Sequence, residues 1–433
     1  MEAQTLIESP NAPSDWPKGL LFAFRFAFVY FVLYNLPFPF GWTTQTDSLG
    51  DKYDSVWHSV VPWIGQNILH LTSPIVTEDN GSGDTTYYYL MGLCILLLAF
   101  AAAFLWWFLD RTARNYQRLH QWLRLYIRLT VGAALVMYGA TKVFQSQFPP
   151  PNLTKLLQPY SEATPMGLLW TFMGVSRGYN LFAGFAEMLA GVLLFVPRVT
   201  TIAALIGVGV MANTFALNMC YDVPVKIYSF HLLVMCLFLV LPDVPRLINL
   251  LLLNRKVEPA IYPTLFKSNR WNTGILVAQL LFCAFLVTAD LSVAHQRTKE
   301  SPDLARPPLY GIWSVDEFSL DGNLLPPLQT DPIRWQKLVF QYPNSVAVQL
   351  MDGSWTGYRK NLDMEKKTLK LDKPRDAKDK AELTFSNPER ELLIVEGNAK
   401  DNKIRVKFHR VDETKFPLLS RGFHWISEEP DER

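Results

Sequence analysis

The stretch YGATKVFQSQFP, residues 138–149, closes an apolar run that begins near Leu125 and places Lys142 where a lipid-facing helix should carry no charge. A charge in hydrocarbon costs several kcal/mol unless it is paired, hydrated or able to reach the headgroups, so this lysine points to a bundle interior or a snorkelling helix end. Apolar runs of this kind recur before about residue 290, and none follows Glu300. A span takes ~20 apolar residues because every backbone group must be bonded within the helix across ~30 Å of hydrocarbon. Seven stretches qualify: 20–40, 87–109, 125–145, 178–196, 199–219, 227–241 and 273–290. The sixth is short, and Pro242 and Pro245 mark its end.

The whole-chain averages, 49% hydrophobic and 18% charged, are a mixture of two halves, which predicts a membrane domain over 1–298 and a soluble one over 307–433. A net charge of +2 without a long basic block gives no footprint for nucleic acid. The lipid bilayer is the first partner. Cys94, Cys220, Cys236 and Cys283 lie in or beside apolar runs with no CxxC, so they read as small buried hydrophobes, with neither a disulfide framework nor a thiolate metal site. The first 19 residues carry Glu2, Glu8, Asp15 and Lys18 and lack the basic head and cleavage site of a signal peptide, which predicts an uncleaved start.

Arg111, Arg114, Arg118 and Arg124, then Arg198, then Arg246, Arg255, Lys256, Lys267 and Arg270 collect in alternate connections, which are therefore the inside loops. The connection 41–86 is acidic and 146–177 is sparsely charged. With an odd number of spans, the amino terminus is cytoplasmic and the soluble domain extracytoplasmic, in a cell inner membrane. Within the first outer connection, Val56, Val60, Trp63, Ile64, Ile68 and Leu69 recur at helical spacing; this helix lies on the outer leaflet or packs on the bundle, with His58 and His70 at the surface.

From Leu309 the pattern alternates with period two in LYGIWSVDEFSL, WQKLVFQY, SVAVQLM, SWTGYRKNL, KTLKLD, AELTFS, ELLIVEG and KIRVKFHRV, with Asp321-Gly322-Asn323, Asp352-Gly353 and Gly397-Asn398 as turns. About eight short strands in meander order predict a closed antiparallel barrel, hollow or packed solid. Gly311-Ile312-Trp313 resembles the GxW signature of lipocalin-like barrels; that resemblance implies a tryptophan plugging the floor and an arginine near the carboxyl end, Arg421, stacked on Trp313.

Several polar residues fall within the spans. Tyr138, Lys142 and Gln145 are spaced i, i+4 and i+7 on one helical face, and Glu187 lies about ten residues into the fourth stretch, at the midplane, among Gly184, Ala186, Ala190 and Gly191. Asn213, Asn218, Asp222, Lys226 and His231 gather where the fifth and sixth stretches meet. Together Tyr138, Lys142, Gln145, Glu187, Asn218, Asp222, Lys226 and His231 outline a polar pocket open to the outside. Lys142 either pairs with Glu187 or reaches the headgroups. Arg25, near the inner end of the first span, reads as a snorkelling anchor.

Residues 125–241, with YGATKVF closing the first helix, AEMLAGVLLFVPR in the second and NMCYDVPVKIYSFHLL across the third and fourth, resemble the four-helix DoxX/DoxD-like family. The remaining spans and the barrel have no counterpart in that unit. The resemblance implies membership of a membrane oxidoreductase assembly, such as a thiosulfate:quinone oxidoreductase subunit, or a role as an assembly partner of other membrane proteins. It implicates Lys142 and Glu187, and more loosely Asp222 and Lys226. Two functions follow: a redox-complex subunit whose pocket takes a quinone or lipid headgroup, or a non-catalytic scaffold whose β domain docks a partner protein or lipid. No facing His pair, CxxCH or Cys cluster supplies a redox centre, so electrons for quinone chemistry would come from a partner. A proton-coupled transporter would be expected to show an inverted repeat, and none is visible.

Overall fold

The computed structural model describes residues 15–40, 47–259, 264–301, 306–374, 376–400 and 402–430; Glu2 and Glu8 of the acidic start lie outside them. All seven apolar stretches are helical: α1 (Lys18–Asn35), α3 (Thr86–Leu109), α4 (Gln117–Val143), α7 (Arg177–Leu194), α8 (Thr200–Cys220), α9 (Lys226–Val240) and α11 (Asn269–Glu300). Between them lie α2 (Asp47–Asn67), the short α5 (Leu153–Leu156), α6 (Pro165–Val175) and α10 (Val244–Leu247). Among the described residues, six helical segments are long and apolar enough to cross a membrane: Lys18–Asn35, Thr86–Leu109, Gln117–Val143, Pro197–Cys220, Lys226–Leu252 and Asn269–Glu300. α7, although 18 residues long, is the less apolar seventh because it carries Arg177, Asn180 and Glu187. The architecture is that of a multi-pass membrane protein. α3 turns Leu97, Phe100, Phe104 and Leu105 outward, each about half exposed or more, a surface that suits lipid and not water.

Three expectations about helix ends change. α4 starts at Gln117, so Arg118 and Arg124 lie on the helix, where arginine is a good helix former, and not in the preceding loop. Pro242 and Pro245 do not end the sixth span: each sits in the first turn of a short new helical segment, where its missing N–H costs nothing, and helix persists to Leu252. α4 stops at Val143, and Gln145 lies beyond it with φ 54°, off the face shared by Tyr138 and Lys142. Of the cysteines, Cys94, Cys236 and Cys283 are buried, but Cys220, at the last position of α8, is exposed.

The chain divides into two compact units, Met1–Val143 with Leu181–Ser292, and Phe144–Asn180 with Val293–Arg433. In the first, Phe24 and Phe31 of α1, Ile127, Val131 and Leu135 of α4, Ala203 and Met211 of α8, and Leu232 and Met235 of α9 form one core. α2 buries Trp57 and Val61 against Tyr87, Cys94 and Ile95 while Val56, Val60 and Trp63 stay exposed. His58 and His70 are at the surface.

The second unit holds a closed, eight-stranded antiparallel barrel. Its strands are β1 (Gly311–Leu320), the two-residue β2 (Asn323–Leu324), β3 (Trp335–Tyr342), β4 (Ser345–Leu350), β5 (Trp355–Asp363), β6 (Thr368–Lys373), β7 (Asp376–Glu389), β8 (Leu392–Ala399) and β9 (Asn402–Val411). Neighbours pair in order and β1 closes on β9, with β2 folded back on β1 as an appendage to the eight. Alternation puts Ile404, Val406 and Phe408 of β9 inside, with Arg405 facing out. Trp313, Phe318, Leu338, Phe340, Leu393 and Phe408 share the core, each at most 2% exposed, so the interior is filled by side chains. Each such burial contributes about 1.5–3 kcal/mol.

Two barrel details differ from expectation. Gly397-Asn398 is not a turn: Gly397 lies within β8 at φ 154°, and a Cβ there would stand 2.9 Å from Leu383 Cα, so backbone approach from β7 explains the glycine. Arg421 does not stack on Trp313; it is exposed, 3.5 Å from Ser427 Oγ, and no cation lies over the Trp313 ring among the described residues. Arg410 of β9, paired in register with Trp313, takes the position beside the GxW glycine, where a Cβ on Gly311 would stand 3.1 Å from its Nε. The Trp313 indole N–H donates to Leu309 O at 2.9 Å.

Residues 144–180 fold with the barrel and not with the helices. Asn152 caps α5 by accepting from Lys155 N at 2.8 Å, Leu153 N donates to Gln341 Oε1 at 2.6 Å, and the Leu153 side chain packs on Ile312 and Val339. Lys360 of β5 is buried, and burial pushes its ammonium down to about 8. An unfolded lysine keeps its proton to about pH 10.4, so between those values the unfolded chain binds more protons and this group favours folding increasingly as pH rises. Barrel stability, followed by tryptophan fluorescence in denaturant, should therefore gain a contribution from pH 8 to 10 that Lys360→Met removes.

Candidate functional site

The expected site residues that lie in the helical unit fall into four clusters. The first rests on a glycine seam. Gly132 and Gly139 on α4 and Gly184 and Gly191 on α7 each repeat at seven residues, and the two backbones touch: a Cβ on Gly191 would stand 2.9 Å from Gly132 O, and one on Gly184 2.8 Å from Gly139 O. Lys142 and Glu187 follow their seam glycines by three residues, on the same faces. Lys142 Nζ donates to Glu187 Oε2 at 2.8 Å, both side chains being less than a tenth exposed. The lysine is paired and does not reach for headgroups. Its Nζ also lies 5.6 Å from the centre of the Tyr138 ring.

The second cluster involves His231. Its Nδ1 is 2.7 Å from Ile227 O, an atom that can only accept, so Nδ1 carries the proton and Nε2 accepts from Tyr30 Oη at 2.6 Å. Tyr34 stacks on the imidazole with centroids 3.8 Å apart. In the third, Asn218 Nδ2 donates to Ser229 Oγ at 3.0 Å, tying α8 to α9. In the fourth, Asp84 accepts from Lys226 N at 2.7 Å and Ile227 N at 3.0 Å, an anion on the first amides of α9. Lys226 Nζ adds pairs to Asp222 at 2.9 Å and Asp84 at 3.7 Å. Asn213 is exposed on α8, and Gln145 belongs to the second unit, where its Nε2 lies 3.4 Å from Gly174 O.

The eight residues expected to form one pocket thus do not line one cavity. A cleft of about 520 Å³ does open in the helical unit, within the ~300–1,000 Å³ usual for small ligands. Tyr34, Asn35 and Phe38 face it from α1 and the turn that follows, Tyr88 from α3, Tyr138 from α4 and Tyr228 from α9. Only Tyr138 of the expected set lines it. Tyr138 and Tyr228 rings stand 6.0 Å apart, and the hydroxyls of Tyr34, Tyr138 and Tyr228 make no hydrogen bond among the described residues. The cleft is a largely aromatic space with three hydroxyls uncommitted among the described residues and with Asp51 and Asp54 also in its lining, backed through Tyr138 by the Lys142 and Glu187 pair.

Sequence reasoning passed over four participants. Tyr30 and Tyr34 sit at i and i+4 on a span outside the four-helix stretch, Asp84 lies in a loop, and Arg128 looks like one charge within an apolar run. Arg128 is buried, its Nε donating to Leu194 O at 2.8 Å and its Nη2 to Gln279 Oε1 at 3.3 Å. Arg25 is no snorkelling anchor. It is 1% exposed, donating to Tyr116 Oη from Nε at 2.9 Å and from Nη2 at 2.7 Å, and to Asp110 O at 2.7 Å. Tyr116 Oη in turn donates to Asp110 Oδ2 at 2.8 Å.

No family model matches the chain, and no solved structure matches it. Over 118 residues, 27% of the chain, it is 37% identical to the uncharacterized protein YwoB of Bacillus subtilis (strain 168), covering 73% of that protein.

Proposed function

From the premise that the chain belongs to the family of YwoB, we propose that its helical unit is a DoxX-like membrane subunit that holds a membrane-soluble ligand with a polar head, a quinone or a lipid headgroup, in the tyrosine-lined cleft. The observation that carries the proposal is the conjunction of the hydroxyls of Tyr34, Tyr138 and Tyr228, unpartnered among the described residues, with largely apolar and aromatic walls in one cleft of about 520 Å³. A quinone carbonyl or phosphodiester oxygen accepts from phenolic hydroxyls, and the aromatic walls receive the ring or acyl stem. Lys142 lies behind Tyr138, held by Glu187, so Tyr138 is the donor that meets the ligand and the ion pair fixes the helix that presents it. Quinone reduction would draw its two electrons from a partner protein in a redox assembly, in line with the DoxX resemblance.

With α7 taken as a seventh crossing, basic residues such as Arg111, Arg114 and Arg246 support an inner-membrane orientation with the amino terminus cytoplasmic and the barrel outside. A second reading, a scaffold, draws on the barrel: an interior filled by Trp313, Phe340 and Phe408 favours docking on its outer surface over carriage of a ligand within.

Mass spectrometry of full-length protein purified in native lipid discs tests the cleft. A quinone or one phospholipid class should be retained in stoichiometric amount and fall about tenfold in Tyr138→Phe/Tyr228→Phe, the loss of two hydrogen bonds. Equal retention by wild type and the double variant would overturn the assignment.

A further inference from the structure

The barrel unit carries a cleft of about 800 Å³ that includes Arg306, Asn344, Arg359, Lys360, Asn361 and Asp372 in its lining. Its charge is unbalanced: three cations face one carboxylate, and that carboxylate lies 3.7 Å from Arg359 Nε. Lys360 is the unusual member. It is 6% exposed, with Nζ donating to Tyr342 O at 2.9 Å and lying 5.0 Å from the centre of the Phe340 ring. An ammonium has three hydrogens to donate, and no other acceptor or carboxylate partners this one among the described residues. A buried cation without a counter-ion is costly, and burial accordingly holds its proton more loosely than usual. The cleft supplies what an anion needs to complete the arrangement: two guanidinium groups, which match phosphate oxygens with paired donors, side-chain amides from Asn344 and Asn361, and Lys360, which follows Arg359 on β5 and lines the cleft from the strand's inner face.

We infer that this cleft is a binding site for a phosphate group, with Lys360 and Arg359 as its principal cations. The phosphate belongs either to a free phosphorylated compound or to a phospholipid headgroup. The full chain in zwitterionic lipid discs should be titrated calorimetrically with inorganic phosphate and, separately, with a soluble short-chain phosphatidylglycerol. Saturable binding of inorganic phosphate identifies a free anion as a sufficient ligand; binding of the short-chain lipid alone identifies the headgroup. In either case Lys360→Met, which keeps the stem against Phe340, and Arg359→Gln, at an exposed position, should each weaken binding at least about tenfold, since each removes a charge-assisted hydrogen bond. Arg359→Gln decides the matter if Lys360→Met does not fold. Absence of saturable binding of both probes, or wild-type affinity in the folded variants, overturns the site.

Discussion

Lys142→Met should destabilise the helical unit by about 3–5 kcal/mol, whereas Lys142→Met/Glu187→Leu should recover most of that loss. The single substitution leaves the Glu187 carboxylate buried opposite a methyl group, with the glycine seam holding the two helices too close for water to fill in. Protonation of the glutamate limits the cost without removing it. The double variant takes away both charges, and an apolar pair of similar volume carries no desolvation penalty. Unfolding of the solubilised protein in a denaturing detergent series gives the cycle. Additive losses, with the double variant worse than either single one, would mean that the two side chains do not act as a pair.

Arg25→Met should cost a comparable amount, about 3–5 kcal/mol, and should not be rescued by the same logic. Arg25 bonds a tyrosine hydroxyl and a backbone carbonyl, and Tyr116 links the group to the Asp110 carboxylate. Removing the arginine strands two acceptors at once, the Tyr116 hydroxyl oxygen and the Asp110 carbonyl, and the carbonyl cannot be mutated away. Its loss should loosen α1 against the segment leading into α4, seen as faster hydrogen exchange in 18–35 and 110–120, while the barrel stays protected. Unchanged exchange there would return Arg25 to the role of a peripheral anchor.

The seven helices were legible because an apolar run of spanning length has few alternatives, and the barrel strands because period two survives in stretches such as KIRVKFHRV. The ends were not. Arginine prolongs α4 into polar surroundings, and proline is harmless where a helical segment restarts, so neither residue marks a boundary unaided. Lys142 and Glu187 could be singled out because each charge sits in an apolar run, but their partnership depends on glycines spaced seven apart on two helices. The cleft was hidden for a different reason. It needs Tyr34 from α1, and a tyrosine in a span raises no electrostatic alarm until tertiary packing brings Tyr138 and Tyr228 to the same cleft. Gln145 misled because helical spacing was extended past the residue where the helix stops.

The most direct test is photolabelling of native membranes with a photoreactive quinone and, in parallel, a photoreactive phospholipid. The cleft predicts saturable adducts, competed by unlabelled ligand, on the peptides that contain Tyr34, Tyr138 and Tyr228. Adducts spread over the outward face of α3, at Leu97 and Phe104, and insensitive to competitor would contradict it.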